Sequence, residues 1–260
     1  MTTRKTALVT GSTSGIGLGM ARALAAGGHD IMLNGLGDAA QIAALARELA
    51  DDAGVRVEHH PADMSDPAQV RAMVRDTCER FGRVDVLVNN AGIQHVAPLE
   101  SFPDDAWHRI IAINLSAAYF ASAEALPVMR ANGWGRIVNT ASVHGLVASI
   151  HKAAYVSAKH GIIGLTKVTA LESAGSGITC NAICPGFVRT PLVEQQIAAR
   201  AKQAGIDTEA AVAELLGEKQ PSGQFVSVEQ IGASVCFLCS PAADQITGTT
   251  LAIDGGWTAQ

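Results

Sequence analysis

A basic excess is what this 260-residue chain most plainly lacks: 19 Lys and Arg stand against 24 Asp and Glu, a formal charge of −5. With no basic stripe to neutralise phosphates, general nucleic-acid binding is excluded. An apolar run of bilayer length is also missing, and Met1-Thr2-Thr3-Arg4-Lys5 enters a strand and a glycine turn with no apolar signal core. A cytoplasmic protein without a membrane segment is therefore expected. Five cysteines, an odd number, make no disulfide framework and suit a reducing compartment. Cys236 and Cys239 have C-x-x-C spacing, yet they lie in or beside the apolar helical run Ile231 to Leu238 with no Cys or His cluster nearby, so buried packing is expected and no metal. Cys180 and Cys184, in or beside the strand Ile178 to Ile183, read the same way. No internal repeat, low-complexity tract or long linker divides the chain, and 48% hydrophobic content can fill one large core, so a single domain over 1–260 is expected.

What is present is an alternation. Apolar stretches near 6–10, 30–34, 55–60, 84–89, 135–141, 178–184 and 249–253 alternate with helical patterns, which predicts an α/β fold: a Rossmann-type, doubly wound domain with a seven-stranded parallel sheet covered on both faces. The first strand, Ala7-Leu8-Val9, runs into Thr10-Gly11-Ser12-Thr13-Ser14-Gly15-Ile16-Gly17 and then a helical pattern. A glycine-rich turn between strand and helix points to a nucleotide, with Gly11 for the tight turn, Gly15 for close approach to the pyrophosphate and Gly17 for helix–strand packing. Between Pro185 and Val226 the rhythm breaks, with helical patterns near 192–204 and 208–218, and a helical substrate lid over about 187–224 is expected there.

Tyr155 and Lys159 stand four residues apart with Ser142 thirteen residues upstream. On a helix, positions i and i+4 share one face, which sets the ammonium beside the phenol. Free tyrosine titrates near ~10, so a base at neutral pH needs a shift of roughly 2–3 units, which a neighbouring cation supplies by favouring phenolate. Ser142 would hydrogen-bond the reacting oxygen as alkoxide-like charge develops. The pattern suits proton transfer at a secondary alcohol.

Together these segments resemble the short-chain dehydrogenase/reductase family over nearly the whole length. The resemblance rests on T-G-x-x-x-G-x-G at Thr10 to Gly17, Asn89-Asn90-Ala91-Gly92, Asn114, Ser142, Tyr155, Lys159, and Pro185-Gly186-Phe187-Val188-Arg189-Thr190-Pro191, all in the family's order. It implies a catalytic set of Asn114, Ser142, Tyr155 and Lys159, with Asn114 supporting a water chain from Lys159 to solvent. It also implies dinucleotide contacts from Gly11, Thr13, Ser14, Gly15, Ile16 and Gly17, from Leu36, from Asp63 and Met64 at the adenine, and from Asn90, Ala91 and Gly92 beside the nicotinamide ribose. Pro185, Gly186, Val188 and Thr190 complete that set, with Thr190 on the carboxamide, and Tyr155 and Lys159 contribute to it. The chain departs from the pattern at the end of the second strand, Ile31-Met32-Leu33-Asn34-Gly35-Leu36-Gly37, where Gly35 stands in place of the acid usual in NAD-dependent relatives. No Arg or Lys occupies Ser14 or Leu36, where NADP-dependent relatives carry positive charge, and NAD is the expected cofactor. Asp38 has two readings, a reach toward the ribose or a helix N-cap before Ala39.

Outside the shared motifs, Gln94, His144, Lys152 and Gln196 fall where the resemblance places the substrate, and Ser142, Tyr155 and Trp257 join them. Their alternative readings are solvated surface for Lys152 and Gln196, a loop histidine for His144, and a core or interface anchor for Trp257. An ammonium, an imidazole and two amides with no acid among them suit a small carboxylate. This set resembles the bacterial cytoplasmic branch of the family that acts on 3-hydroxybutyrate, which implies reversible oxidation of (R)-3-hydroxybutyrate to acetoacetate, a small hydroxy or keto acid partner and a homotetramer. Two alternatives share much of the machinery: an NADPH-dependent 3-oxoacyl thioester reductase, and a dinucleotide sensor without turnover.

Overall fold

The strand β1 (Thr6–Val9) is fully buried, and its successive residues feed opposite faces of the sheet: Val9 joins one apolar cluster and Leu8 the other. In the computed structural model, which describes residues 4–259 but not the side chains of 191, 192, 195 and 196, β1 lies inside a seven-stranded parallel sheet. The remaining strands are β2 (Asp30–Asn34), β3 (Val57–His60), β4 (Val86–Asn89), β5 (Gly135–Thr140), β6 (Ile178–Pro185) and β7 (Thr250–Ile253), in the order 3-2-1-4-5-6-7. All seven predicted strands form. The order reverses beside β1, which pairs with both β2 and β4, so the crevice for a ligand opens at the carboxyl ends of those strands.

Helices α1 (Gly15–Ala26) and α9 (Val228–Leu238) cover one face, burying Met20, Leu24, Ile231 and Val235 against Val9, Leu33 and Val88. On the other face, α3 (Pro67–Phe81) and α5 (Ala117–Asn132) set Val70, Met73, Ala121 and Ala125 against Leu8, Met32, Leu87 and Ile137. Helix starts follow local capping chemistry. Asp38 accepts from the Gln41 amide at the start of α2 (Ala39–Ala53), which settles its role as an N-cap, and Ser227 and Gln230 form a reciprocal capping box at α9. Helix α4 (Asp104–Ile111) runs through a π turn at Ala112–Ser116 into α5. The stretch Asp104–Asn132 is thereby 29 residues long and contains an 18-residue window of mean hydropathy 1.3, enough by length and composition to cross a membrane, which corrects the reading that no such run exists. The run escapes notice in the sequence because it exists only once the two helices are joined, and its alanine-rich face is committed to the sheet.

Helices α6 (Ala153–Ser173), α7 (Pro191–Ala204) and α8 (Thr208–Gly217) complete the described fold. The helices predicted near 192–204 and 208–218 form as α7 and α8, and α7 begins with Thr190 as N-cap and Pro191 in its first turn. All five cysteines are free: Cys180, Cys184 and Cys239 are buried and Cys78 and Cys236 half-buried, and no metal-binding group of His, Cys, Asp and Glu occurs among the described residues.

Candidate active site

At the switch in strand order the carboxyl ends of β1, β2, β4, β5 and β6 open into a cavity of about 600 Å³. Its floor is a cross-linked set of loops. Thr10 Oγ1 accepts the amides of Asn90 (2.8 Å) and Ala91 (3.0 Å), while Asn90 Nδ2 donates to the carbonyls of Thr10 (2.9 Å) and Gly11 (3.1 Å). Asn34 Oδ1 accepts from the Gly11 amide, and its Nδ2 donates to the carbonyls of His60 and Ala62, each at 3.1 Å, tying the glycine turn to the loop that carries Asp63. A Cβ at Gly17 would lie 2.2 Å from the Gly11 carbonyl oxygen, so only glycine lets α1 start this close to the turn. Ser14, the N-cap of α1, makes no side-chain cap bond, which leaves first-turn amides as donors at the cavity wall.

These features fit a dinucleotide: backbone donors at a helix N-terminus for the phosphates, Asp63 and Met64 at one end, and Ser142, Tyr155 and Lys159 at the other. Of the residues expected to hold the cofactor, Gly11, Thr13, Ser14, Gly15, Ile16, Gly17, Leu36, Asp63, Met64, Asn90, Ala91, Gly92, Tyr155, Lys159, Pro185, Gly186 and Thr190 all line it. Val188 does not; it bridges to Val226 and lines a second, smaller cavity. A Cβ at Gly35 would lie 2.4 Å from Thr13 Oγ1, so an acid there would require the Thr13 side chain to move.

The second cavity, about 130 Å³, shares Ser142, Tyr155, Gln94, Ile16, Gly186 and Thr190 with the first. It brings together Gln94, Ser142, His144, Lys152, Tyr155 and Trp257, residues spread over more than 160 positions of the chain. Trp257 is buried, edge-on to His144 (5.5 Å between ring centres) and tilted against Phe187 (4.8 Å), so it serves as a wall of this cavity. The turn that delivers it is held by Asp254, whose carboxylate accepts from the Gly256 and Thr258 amides and the Thr258 hydroxyl. Gln196 lies on α7, but its side chain is outside the described residues.

The electrostatics differ from the sequence expectation in one respect. Burial raises the Tyr155 phenol above its ordinary range, more than its hydrogen bond with Ser142 lowers it. Lys159 lies with Nζ 5.6 Å from the Tyr155 ring centre and donates to the Thr140 carbonyl at 2.6 Å. Burial pushes the Lys159 ammonium itself down to about 8. Within the protein's own field, then, the cation does not bring Tyr155 below its ordinary range, because desolvation of an enclosed phenolate dominates. His144 is held down at about 4, first by burial and then by the Lys152 cation, so its imidazole is neutral at pH 7; its Nε2 pairs with Ser149 Oγ at 2.8 Å. Lys152 is lowered by burial. Asn114 is paired twice with Ile93, its Oδ1 accepting the Ile93 amide and its Nδ2 donating to the Ile93 carbonyl, both at 2.9 Å.

Sequence reasoning missed Asn34, Arg109 and Ile113 in the larger cavity and Val143, Phe187 and Val193 in the smaller. Asn34 carried a signal, an amide closing an otherwise apolar strand, since a buried amide needs partners. The others are apolar or charged side chains of a kind common anywhere.

Comparison with known proteins agrees with this architecture. The family model described as enoyl-(acyl carrier protein) reductase matches residues 11–258. The D-beta-hydroxybutyrate dehydrogenase of Cupriavidus necator is 58% identical over 256 residues, covering 98% of each chain, and that of Rhizobium meliloti is 52% identical over 256 residues, covering 98% of this chain and 99% of its own. The solved L-sorbose reductase from Gluconobacter frateurii, complexed with NADPH and L-sorbose, superposes with a TM-score of 0.94 at 30% identity, covering 99% of this chain and 98% of its own. The chain belongs to the short-chain dehydrogenase/reductase family. It is an oxidoreductase acting on CH–OH groups with a nicotinamide dinucleotide.

Proposed function

We propose that this enzyme interconverts (R)-3-hydroxybutyrate and acetoacetate with NAD. The observation that carries this reading is the smaller cavity, in which a cation and neutral donors face the serine–tyrosine pair across a space of about 130 Å³, far below the ~300–1,000 Å³ typical of drug-sized ligands. Two relatives above 50% identity that are named for this activity support it. Lys152 and Gln94 would hold the carboxylate, Gln196 would join them from α7, and Trp257 would face the methyl group. Tyr155 takes the hydroxyl proton in oxidation and returns it in reduction, with Ser142 orienting the oxygen. Lys159, with a pKa at about 8, steadies the phenolate and passes the proton on, and Asn114 supports the exit toward solvent. What the dinucleotide supplies when bound is hydride transfer at carbon 3.

Preference for NAD is supported by the strand end at Gly35 and Leu36, where no Lys or Arg stands; the cationic side chains among the described lining residues are Lys159 and Arg109. Five free cysteines fit a cytoplasmic setting, and the exposed Trp107, Tyr119, Val168 and Leu171 on α4, α5 and α6 suit the subunit contacts of a homotetramer, which light scattering would check. We infer one domain over 1–260, with its substrate lid at about 187–224. The test of the activity is absorbance of reduced cofactor with NAD or NADP and a panel of both 3-hydroxybutyrate enantiomers, neutral secondary alcohols and a 3-hydroxyacyl thioester. Turnover of (R)-3-hydroxybutyrate with NAD is expected; turnover of the thioester with NADP alone would replace this reading with that of a 3-oxoacyl reductase, and binding without any turnover would replace it with that of a sensor.

Lys152 gives the site a pH signature. Because its ammonium is lowered below the ordinary lysine range, the cation is lost earlier on the alkaline side, and KM for the carboxylate substrate is expected to rise there while kcat follows Tyr155 and Lys159. In Lys152→Met, KM should be high and flat across that range. A wild-type alkaline rise that persists unchanged in Lys152→Met would remove Lys152 from carboxylate binding.

A further inference from the structure

His151 is the one non-glycine residue among those described with a positive φ, 63°, and it stands immediately before Lys152. Its carbonyl accepts the Ala97 amide at 3.0 Å, joining the turn before α6 to the loop that follows β4. That loop carries Gln94, and it is tied again at Ile93, where the Asn114 amide group grips both the N–H and the carbonyl. Gln94 is thus bracketed by two ties, at Ile93 and at Ala97. Lys152 is bracketed in the same way, by the left-handed turn on one side and the start of α6 at Ala153 on the other, while the beginning of its turn is held by the contact of Ser149 with His144.

We propose that His151 is a positioning residue, whose left-handed backbone closes a clasp with Ala97 that sets Gln94 and Lys152 at the spacing needed to hold the two oxygens of a substrate carboxylate. The proposal rests on the carboxylate reading of the smaller cavity. His151 is exposed, so its imidazole packs no core, and the backbone conformation carries the role. Histidine, asparagine and glycine adopt that conformation with little strain, whereas a β-branched residue there is a genuine outlier.

The experiment compares His151→Gly, His151→Asn and His151→Val, with Ala97→Pro to delete the clasp's donor, on (R)-3-hydroxybutyrate and on a neutral secondary alcohol. His151→Gly and His151→Asn are expected to keep the parent KM. His151→Val should raise KM for 3-hydroxybutyrate by about 5- to 30-fold, the ratio equivalent to a left-handed penalty of ~1–2 kcal/mol, while kinetics on the neutral alcohol and dinucleotide affinity stay put. Ala97→Pro should move KM in the same direction. Loss in the Gly and Asn variants equal to that in Val would assign the effect to the imidazole and overturn the proposal, as would an unmoved KM in both His151→Val and Ala97→Pro. Should His151→Val not fold, Ala97→Pro and the two permissive variants still decide. Gln94→Ala and Lys152→Met separate this result from the reading beneath it: if neither raises KM for the carboxylate, the carboxylate site itself fails, whereas if both do and the clasp variants do not, only the clasp fails.

Discussion

Tyr155→Phe is expected to lower kcat by about 10²–10⁴-fold, the usual worth of a positioned acid–base group, while dinucleotide affinity stays near that of the parent. Removing the hydroxyl leaves the ring in place between the two cavities and removes the only phenol that lines either of them. His144 is a poor substitute, since a group held down at about 4 is a weak base at pH 7 and carries no proton to return, and Lys159 is engaged with the Thr140 carbonyl. The measurement is turnover beside a fluorescence titration of reduced cofactor. Undiminished turnover in a variant that still binds the cofactor would remove Tyr155 from the chemistry.

The second large effect is expected at Gly17. A methyl group there would meet the Gly11 carbonyl oxygen at 2.2 Å and Asn90 Nδ2 at 2.5 Å, and the nearest obstacle is backbone, which cannot swing aside. Gly17→Ala therefore pushes α1 away from the turn and loosens the Asn90–Gly11 hydrogen bond at the floor of the cavity. Overpacking of this kind costs ~1–3 kcal/mol, and the displaced donors should raise the dinucleotide Kd by about tenfold or more. Gly217→Ala is the matched control: it is exposed in the last turn of α8, a Cβ there meets nothing within 4 Å, and stability should rise by up to about 0.5–1 kcal/mol as a helical glycine gives way to alanine. Thermal unfolding and cofactor titration of both variants check the pair. Equal behaviour of the two would show that the close approach at Gly17 is not what shapes the cavity.

Strands such as β1 and β4 were legible because their residues are largely apolar on both faces and bounded by turn-forming sequence, whereas β3, Val57-Glu58-His59-His60, is half-buried and carries a single apolar residue. The joined helix Asp104–Asn132 was not, because α4 and α5 merge through a π turn whose geometry leaves no local mark in composition. Asp38 was ambiguous until the cap hydrogen bond to Gln41 appeared, since an aspartate before a helix and an aspartate at a ribose are the same residue type in the same place. The phenol at Tyr155 shows the limit from the other side. Its i+4 partner was correctly placed on one helix face, but the direction of its pKa depends on how completely the surrounding chain excludes water, which no spacing encodes.

The sequence by itself determined the alternation of strand and helix, the glycine turn at Gly11 to Gly17 and the helical neighbours Tyr155 and Lys159, because each follows from backbone and side-chain preferences acting over a few residues. The tertiary structure alone decided that Gln94, His144, Lys152 and Trp257 enclose one small cavity, that Val188 belongs to it, and that a side chain at Gly35 would meet that of Thr13. Those facts concern residues brought together from distant parts of the chain. Their separation is set by sheet order and by backbone ties such as Ala97 to His151, not by anything a local window contains.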